Sequence, residues 1–393
     1  MQRLHGTLQH YAWGTTDAIP ELLGLSPDGR PYAEYWLGAH PQSPSRTATA
    51  ALDRLVNDDP ALLGEKVHAA FGTQLPFLMK VLSARHALSI QAHPSRELAE
   101  EGFARENAAG IPLDAAERVY SDAWPKPEIL IALEEFETLL GFRDPMTSAA
   151  LFSGLGVSDE LQSVIGPLTE RKGPAALAEV FLDVLSLEGE RARLVDVVVS
   201  AAMRHAQDRG PVGEFARTAI ELDEVFPADR GILAALLMNR VRLAPGEAVY
   251  VPAGRMHAHL RGTGIEVMAN SDNVIRGGLT PKHVDVGELV RVVGFEPEQP
   301  EVLRPVRSRP GVQRYRTPCR EFDVWRLAPG GEAVPLPGEG SARILLAVEG
   351  ELELLGDGGP TALRRGESLL LGASEQAEVA GTGVAFATAS GVR

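Results

Sequence analysis

VYVPAGRMHAHLRGTGIEVM, residues 249–268, decides how the rest of the chain is read. Pro252 and Gly254 shape a turn just before His257. His257 and His259 are two positions apart, so on a strand both imidazoles point to one face. Glu266 is expected on the following strand. The plain alternative is a pair of core histidines in an ordinary sheet. Not every group here need touch a metal, because a neighbouring imidazole or carboxylate often orients a ligand or a substrate.

The stretch is similar to the PxGxxHxH pattern of cupins, in which hairpin histidines converge inside a small barrel. Outward from it, three more stretches carry candidate chemistry. LSIQAHPS (88–95) sets Gln91 and His93 two apart, so an amide oxygen and an imidazole nitrogen can reach one ion. WPKPEILIAL (124–133) places Glu128 at the start of a strongly apolar strand, where a carboxylate is costly to bury without a cation. Lys126 is two residues away. ANSDNVIRGGLTPKH (269–283) crowds Asn270, Asp272, Asn273, Arg276, Thr280 and Lys282 around two glycines and a proline. The planar fork of Arg276 and the point charge of Lys282 suit a phosphate or a developing enediolate oxygen. YAWG (11–14) and AEYWLGAHPQSPS (33–45) are candidate pocket walls, although Trp13 and Trp36 equally suit a core. There is no GxxxxGK[ST] loop, GxSxG elbow, HExxH helix or dinucleotide fingerprint.

The chain has 393 residues, more than one hydrophobic core usually serves. Short apolar runs in residues 1–145 (YWLG, LPFLMKVL, HALSIQAH, EILIAL) read as strands. SRELAEEGFARENAAG between them reads as a helix capped by Ser95 and ending near Gly110. Residues 146–240 carry apolar positions at helical spacing in MTSAALFSGL, PAALAEVFLDVLSL, RARLVDVVVSAAMRHA and ILAALLMNRV. Residues 241–300 return to strands and complete the first core. Residues 301–393 add FDVWRL, ARILLAVEGELELLGDG, ALRRGESLLLG and VAFATA, the makings of a small jelly roll. The expected fold is mainly β with a helical subdomain. A cupin-type sandwich forms its core and a second jelly roll its C-terminal part.

The formal charge of −15 argues against nonspecific nucleic-acid binding, which needs clustered cations. The single cysteine, Cys319, cannot form an internal disulfide. The N-terminus lacks an apolar signal core, and no run reaches the ~18 apolar residues of a membrane span. A cytoplasmic protein is expected, with no membrane partner. None of the ten histidines lies beyond His283, so the C-terminal unit is expected to be structural or a partner surface, not a second metal centre.

Taken in order, YAWG, AEYWLGAHPQSPS, LPFLMKVLSARHALSIQAHPS, KPEILIAL, VPAGRMHAHLRGTGIEVMANSDNVIRGGLTPKHVDV and YRTPCREFDVWRL resemble class I mannose-6-phosphate isomerases. The resemblance implies one zinc ion per chain on Gln91, His93, Glu128 and His257. It implies pocket roles for Lys80, Ser89, Lys126, Glu266, Asp272, Arg276 and Lys282, with Trp13 as a wall. His259 is tyrosine in some relatives, which loosens its role. Ser95-Arg96 replaces a frequent Asp-Lys, and SDAWPKPE replaces a commoner Asn-His before KPE. Neither departure removes a metal ligand; both touch the pocket rim.

The implied reaction is reversible aldose–ketose isomerisation of D-mannose 6-phosphate and D-fructose 6-phosphate through a cis-enediol, a step of mannose metabolism. A monomer handling a small sugar phosphate is expected. Zinc would organise the carbonyl region and Arg276 would stabilise developing charge. Lys282 and Ser89 would hold the phosphate. Glu266, His259, Lys126 and a zinc-bound water are all candidates for the proton shuttle. The competing readings are another cupin-type sugar-phosphate isomerase, separable by a substrate panel, and a binding protein on a retired scaffold, which loss of ligands would have favoured.

Overall fold

The computed structural model describes residues 1–156 and 158–393. It is a strand-rich molecule of two antiparallel sheet systems, with ten and nine strands, and a helical region between strands of the first. The helical region runs from Pro145–Gly154 to Gly231–Ala235. Among the described residues no helix is long and apolar enough to cross a membrane.

Alternation builds the first sandwich. Phe77–Ala84 is buried along its whole length, which fits a strand covered on both faces. Phe77, Met79 and Val81 point one way with Ile129, Ile131, Ile265 and Val267. They pack against Tyr315, Phe322, Val324, Ile344, Leu346 and Phe386 of the C-terminal sheet. Leu82, Leu130 and Ala132 point the other way, into the sandwich interior. Lys80, Glu128 and Glu266 share that second parity, so the same alternation that seals the domain contact turns three charges inward.

The long strand His257–Ala269 joins the two walls. Its first part pairs with Gln91–Ala92 and Phe136–Phe142, and its second with Phe77–Ala84 and Glu128–Ala132. A register shift falls between His259 and Arg261, and Gly262 has φ 115°. A side chain at Gly262 would meet the backbone of Glu135 and Phe136. The bend lets one strand turn a corner of the sandwich. Glu266 therefore lies on the same strand as His257, not on a following one as the sequence suggested.

Leu139, Ala258 and Leu260 face outward from the second wall into the helical region, against residues such as Leu177, Phe181 and Val198. Asp144 and Ser158 cap helices there by accepting from the amides of Thr147 and Leu161. Two readings of local sequence change. HALSIQAH forms a strand only at Gln91–Ala92. ILAALLMNRV is a short helix, Gly231–Ala235, followed by the strand Met238–Leu243, because Val241 and Leu243 are claimed by the sandwich interior. The helix Arg96–Ala108 begins where expected, with Ser95 accepting from Leu98.

The second sandwich holds Trp325, Leu327, Leu345, Ala347, Leu352, Leu354, Leu363, Leu369 and Leu371 between its walls. Its strands include Asp323–Leu327, Arg343–Gly356 and Ala377–Ala389. The chain's first strand, Gln2–Leu4, joins this sheet by pairing with Ser368–Leu370.

Candidate metal centre and active site

Gln91, Glu128 and His257 lie on three strands, and His93 comes directly after the first of them. Gln91 pairs with His257 on one side and Arg276 on the other, so all three side chains stand on one face in a row. Glu128 enters from the opposite wall. His93 Nε2 lies 3.2 Å from Glu128 Oε1, and His257 Nε2 lies 3.3 Å from Glu128 Oε2. One ligand atom from each of these residues lies within 4.8 Å of the others, and all three side chains are buried.

The protonation pattern follows from the partners. His93 Nδ1 is 2.8 Å from the Asn273 carbonyl, which can only accept, so Nδ1 carries the proton and Nε2 presents a lone pair. That Nε2 and His257 Nδ1 are buried polar atoms with no hydrogen-bond partner. Gln91 donates its amide NH₂ to Ser89 Oγ at 3.1 Å, which leaves its carbonyl oxygen free. Burial lowers the pKa of His93, against the pull of Glu128, and keeps the ring neutral. Burial also opposes the charge on Glu128, but the groups around it, with Lys126 Nζ 3.4 Å away, outweigh it and hold the carboxyl well below its usual range. The His93 Nε2 lone pair and the Glu128 carboxylate, facing one another in the dry, repel unless a cation sits between them. The donor set therefore fits a divalent metal ion.

A second cluster adjoins the first. Lys80 Nζ lies 3.2 Å from Glu34 Oε1 and 3.3 Å from Glu266 Oε2, and 4.9 Å from the centroid of the Trp36 ring. His259 Nε2 is 3.5 Å from Glu266 Oε1. Burial opposes the charge on Lys80, but Glu34, Glu266 and Glu128 together hold its pKa above the ordinary value. For Glu266 burial again acts against ionisation; Lys80 is the main group that overcomes it and keeps the carboxyl below its usual range. Thr138 Oγ1 donates to the Ala258 carbonyl and lies 3.1 Å from His259 Nδ1. Its oxygen thus receives the Nδ1 proton and turns Nε2 toward Glu266. Glu34, Glu128 and Glu266 stand against Lys80 and Lys126, one negative charge in excess, which favours uptake of a cation.

The remaining sequence candidates fall at the rim. Lys126 Nζ is 3.4 Å from Glu128 Oε1. Asp272 pairs with His40 at 3.2 Å and accepts from Gln42. Trp13 stacks on Tyr11, with centroids 5.8 Å apart, and packs on the apolar cluster of Leu82 and Ala84. Tyr11 has its pKa raised by burial and then by Glu34, which puts this segment beside the second cluster. Arg276 and exposed Lys282 line a cavity of about 470 Å³ with Arg118 and His283, and His93, Glu128 and His257 are not among its walls. Lys282 makes no ion pair or side-chain hydrogen bond with either cluster among the described residues.

Several contributors were not singled out from the sequence. Glu34 and Thr138 lie in ordinary strand text, and nothing but the pairing register marks them. Asp122 organises the loop behind His93: it accepts from Ser271, from the Asp272 and Trp124 amides and from Asn273 Nδ2. It stands in SDAW, just ahead of Lys126 and Glu128.

The phosphomannose isomerase type I catalytic-domain model matches residues 1–145. The mannose-6-phosphate isomerase of Salmonella typhimurium is 40% identical over 98% of both chains. That of Rattus norvegicus is 33% identical over 94% of this chain and 92% of its own. The apo crystal structure of the Salmonella typhimurium enzyme superposes with a TM-score of 0.89 at 37% identity, covering 99% of each chain. A mannose 6-phosphate isomerase bound with zinc and yttrium gives 0.89 at 36% identity, with the same coverage. With its cupin-type sandwich, buried His–Glu–His group and near full-length similarity, the chain belongs to the type I phosphomannose isomerase family.

Proposed function

We propose that the chain interconverts D-mannose 6-phosphate and D-fructose 6-phosphate at a zinc site. The observation that carries this reading is the placement of His93–Glu128–His257 beside Lys80–Glu266–His259 in one sandwich interior, in a member of this family. Two imidazoles and a carboxylate suit zinc, and Gln91 is the fourth ligand through its free carbonyl oxygen. Zinc held by these residues would supply fixed positive charge to polarise the sugar's carbonyl and hydroxyl oxygens.

The chain's own residues carry the proton. An aldose and its ketose differ by a proton on carbon and one on oxygen, exchanged between C1 and C2 through a cis-enediol. Glu266, kept ionised by Lys80, is the base toward the carbon-bound proton. His259 relays between Glu266 and the sugar oxygen, with its tautomer set by Thr138. Lys126 orients Glu128 and faces the sugar hydroxyls from its side. Arg276 gives a permanent charge toward the developing oxyanion. Lys282 and Ser89 receive the phosphate, and Asp272 and Trp13 border the sugar.

The isomerisation of mannose 6-phosphate in deuterium oxide tests both substrate and route. Proton transfer through an exchangeable group predicts deuterium at C1 of the fructose 6-phosphate formed. Turnover without any deuterium in product or recovered substrate contradicts the cis-enediol. Absence of turnover, with conversion of a different aldose phosphate, contradicts the substrate.

A further inference from the structure

A second cavity, of about 380 Å³, opens at one end of the C-terminal sandwich, away from the metal-ligating residues. Arg309, Arg314, Arg393, Trp325 and Glu339 are among its walls. Asp323 and Trp325 lie on the same strand two positions apart, and Arg314 is the cross-strand partner of Trp325.

Asp323 holds two of these arginines in place. Its Oδ1 accepts from Arg314 Nε at 3.2 Å and Nη2 at 2.6 Å, and its Oδ2 accepts from Arg393 Nη1 at 2.5 Å. Both guanidiniums also lie over Trp325, with centroid distances of 6.0 and 5.0 Å. The carboxylate thus occupies part of each fork and leaves Arg314 Nη1 and Arg393 Nη2 for another acceptor. Arg309 has no carboxylate within 4 Å among the described residues, and its side chain is exposed.

Behind the wall stands a fourth guanidinium. Arg343 is 0% exposed, and a side chain at wall residue Gly338 would come 3.3 Å from Arg343 Cγ. Its Nη2 donates to the Gly372 and Glu375 carbonyls, while Nε and Nη1 have no partner. Burial lowers its pKa and Glu339 offsets that only in part, so a nearby anion would relieve an unmet cost. At the cavity itself Arg309, Arg314 and Arg393 stand with two side-chain carboxylates, Asp323 and Glu339, in a chain that is acidic overall. Glu375 is engaged with the Met1 amine.

We propose that this cavity binds a phosphate group, free or carried on a sugar, with Arg314 and Arg393 as a clamp set by Asp323 and Arg309 at the mouth. Guanidinium forks match the geometry of phosphate oxygens, and arms already fixed by a carboxylate lose little freedom on binding. The Trp325 ring is nearly covered, so it braces the arginines and offers no face for stacking a base.

Inorganic phosphate is the probe, in equilibrium dialysis of the full chain. The Arg314→Gln/Arg393→Gln variant is expected to bind one phosphate fewer per chain than the unaltered protein. Arg309→Gln, which breaks no internal contact, is expected to weaken the same site at least tenfold. Neither variant alters the metal centre, so mannose 6-phosphate turnover in the absence of added phosphate should be retained. Fructose 6-phosphate added to the dialysis separates two occupants: displacement of this phosphate marks a sugar phosphate, and retention marks free phosphate. Equal phosphate counts in the unaltered protein and the double variant overturn the proposal.

Discussion

Between the walls of the first sandwich lie Glu34, Lys80, His93, Glu128, His257, His259 and Glu266; between those of the second, at equal depth, lie Leu327, Leu345, Leu354, Leu369 and Leu371. Both interiors are built by the same alternation of inward and outward side chains. The first gives up apolar contact for charges, each costly to desolvate and tolerable only in opposed pairs. The second keeps its apolar interior and confines its arginines to one end. One sandwich therefore carries reactive groups, while the other contributes packing, including the sheet face against which Ile129, Ile131, Ile265 and Val267 are buried.

That contrast can be broken from either side. The largest effect is expected from Glu266→Gln, which keeps the shape and removes the carboxylate proposed as the base. Turnover should fall by about 10²–10⁴-fold. Metal content should stay at the unaltered level, as measured by elemental analysis of the same sample. Leu345→Ala in the second interior should act oppositely. It should cost about 2–5 kcal/mol of stability in denaturant unfolding, with kcat/KM unchanged while the protein is folded.

A subtler test concerns Lys80. The folded-state pKa of Glu266 is depressed, so its ionisation favours the fold above the unfolded carboxyl pKa, and that contribution is lost as pH falls through the folded value. With Lys80→Met, burial is no longer outweighed and the Glu266 pKa rises. The acid limb of the pH–rate profile should then move to higher pH. A limb that stays in place would show that Lys80 does not govern this carboxyl. The smallest effect is expected from Asp122→Ala, which loosens the Asn273 loop that orients His93. Metal affinity should weaken by about 10–100-fold in a competition titration, with turnover at saturating metal little changed.

Much of this arrangement was legible in the sequence. His257, His93 and Glu128 fall in short patterns whose spacing and context imply an inward face, and the structure brings them together. The helix after Ser95 announces its cap. Other features depend on partners far along the chain. Local sequence places Glu266 on a strand after that of His257 and His259; only pairing with four strands makes Gly262 a corner of a single strand. Met238–Leu243 looks helical by periodicity and is a strand because Phe136–Phe142 recruits it. Glu34, Thr138 and Asp122 act through register and loop closure, which no local pattern encodes. The arginines at 309, 314 and 393 come to one cavity only when the second sandwich closes.

If isomerisation depends on a metal ion held by His93, Glu128 and His257, stripping the protein with chelator and returning zinc in known amounts, while following conversion of mannose 6-phosphate, is the direct measurement. Activity should fall on stripping, return in proportion to added zinc and level off at one ion per chain, while a His257→Ala protein should take up little zinc and regain little activity. Full activity in the stripped protein, or full restoration in His257→Ala, would contradict that dependence.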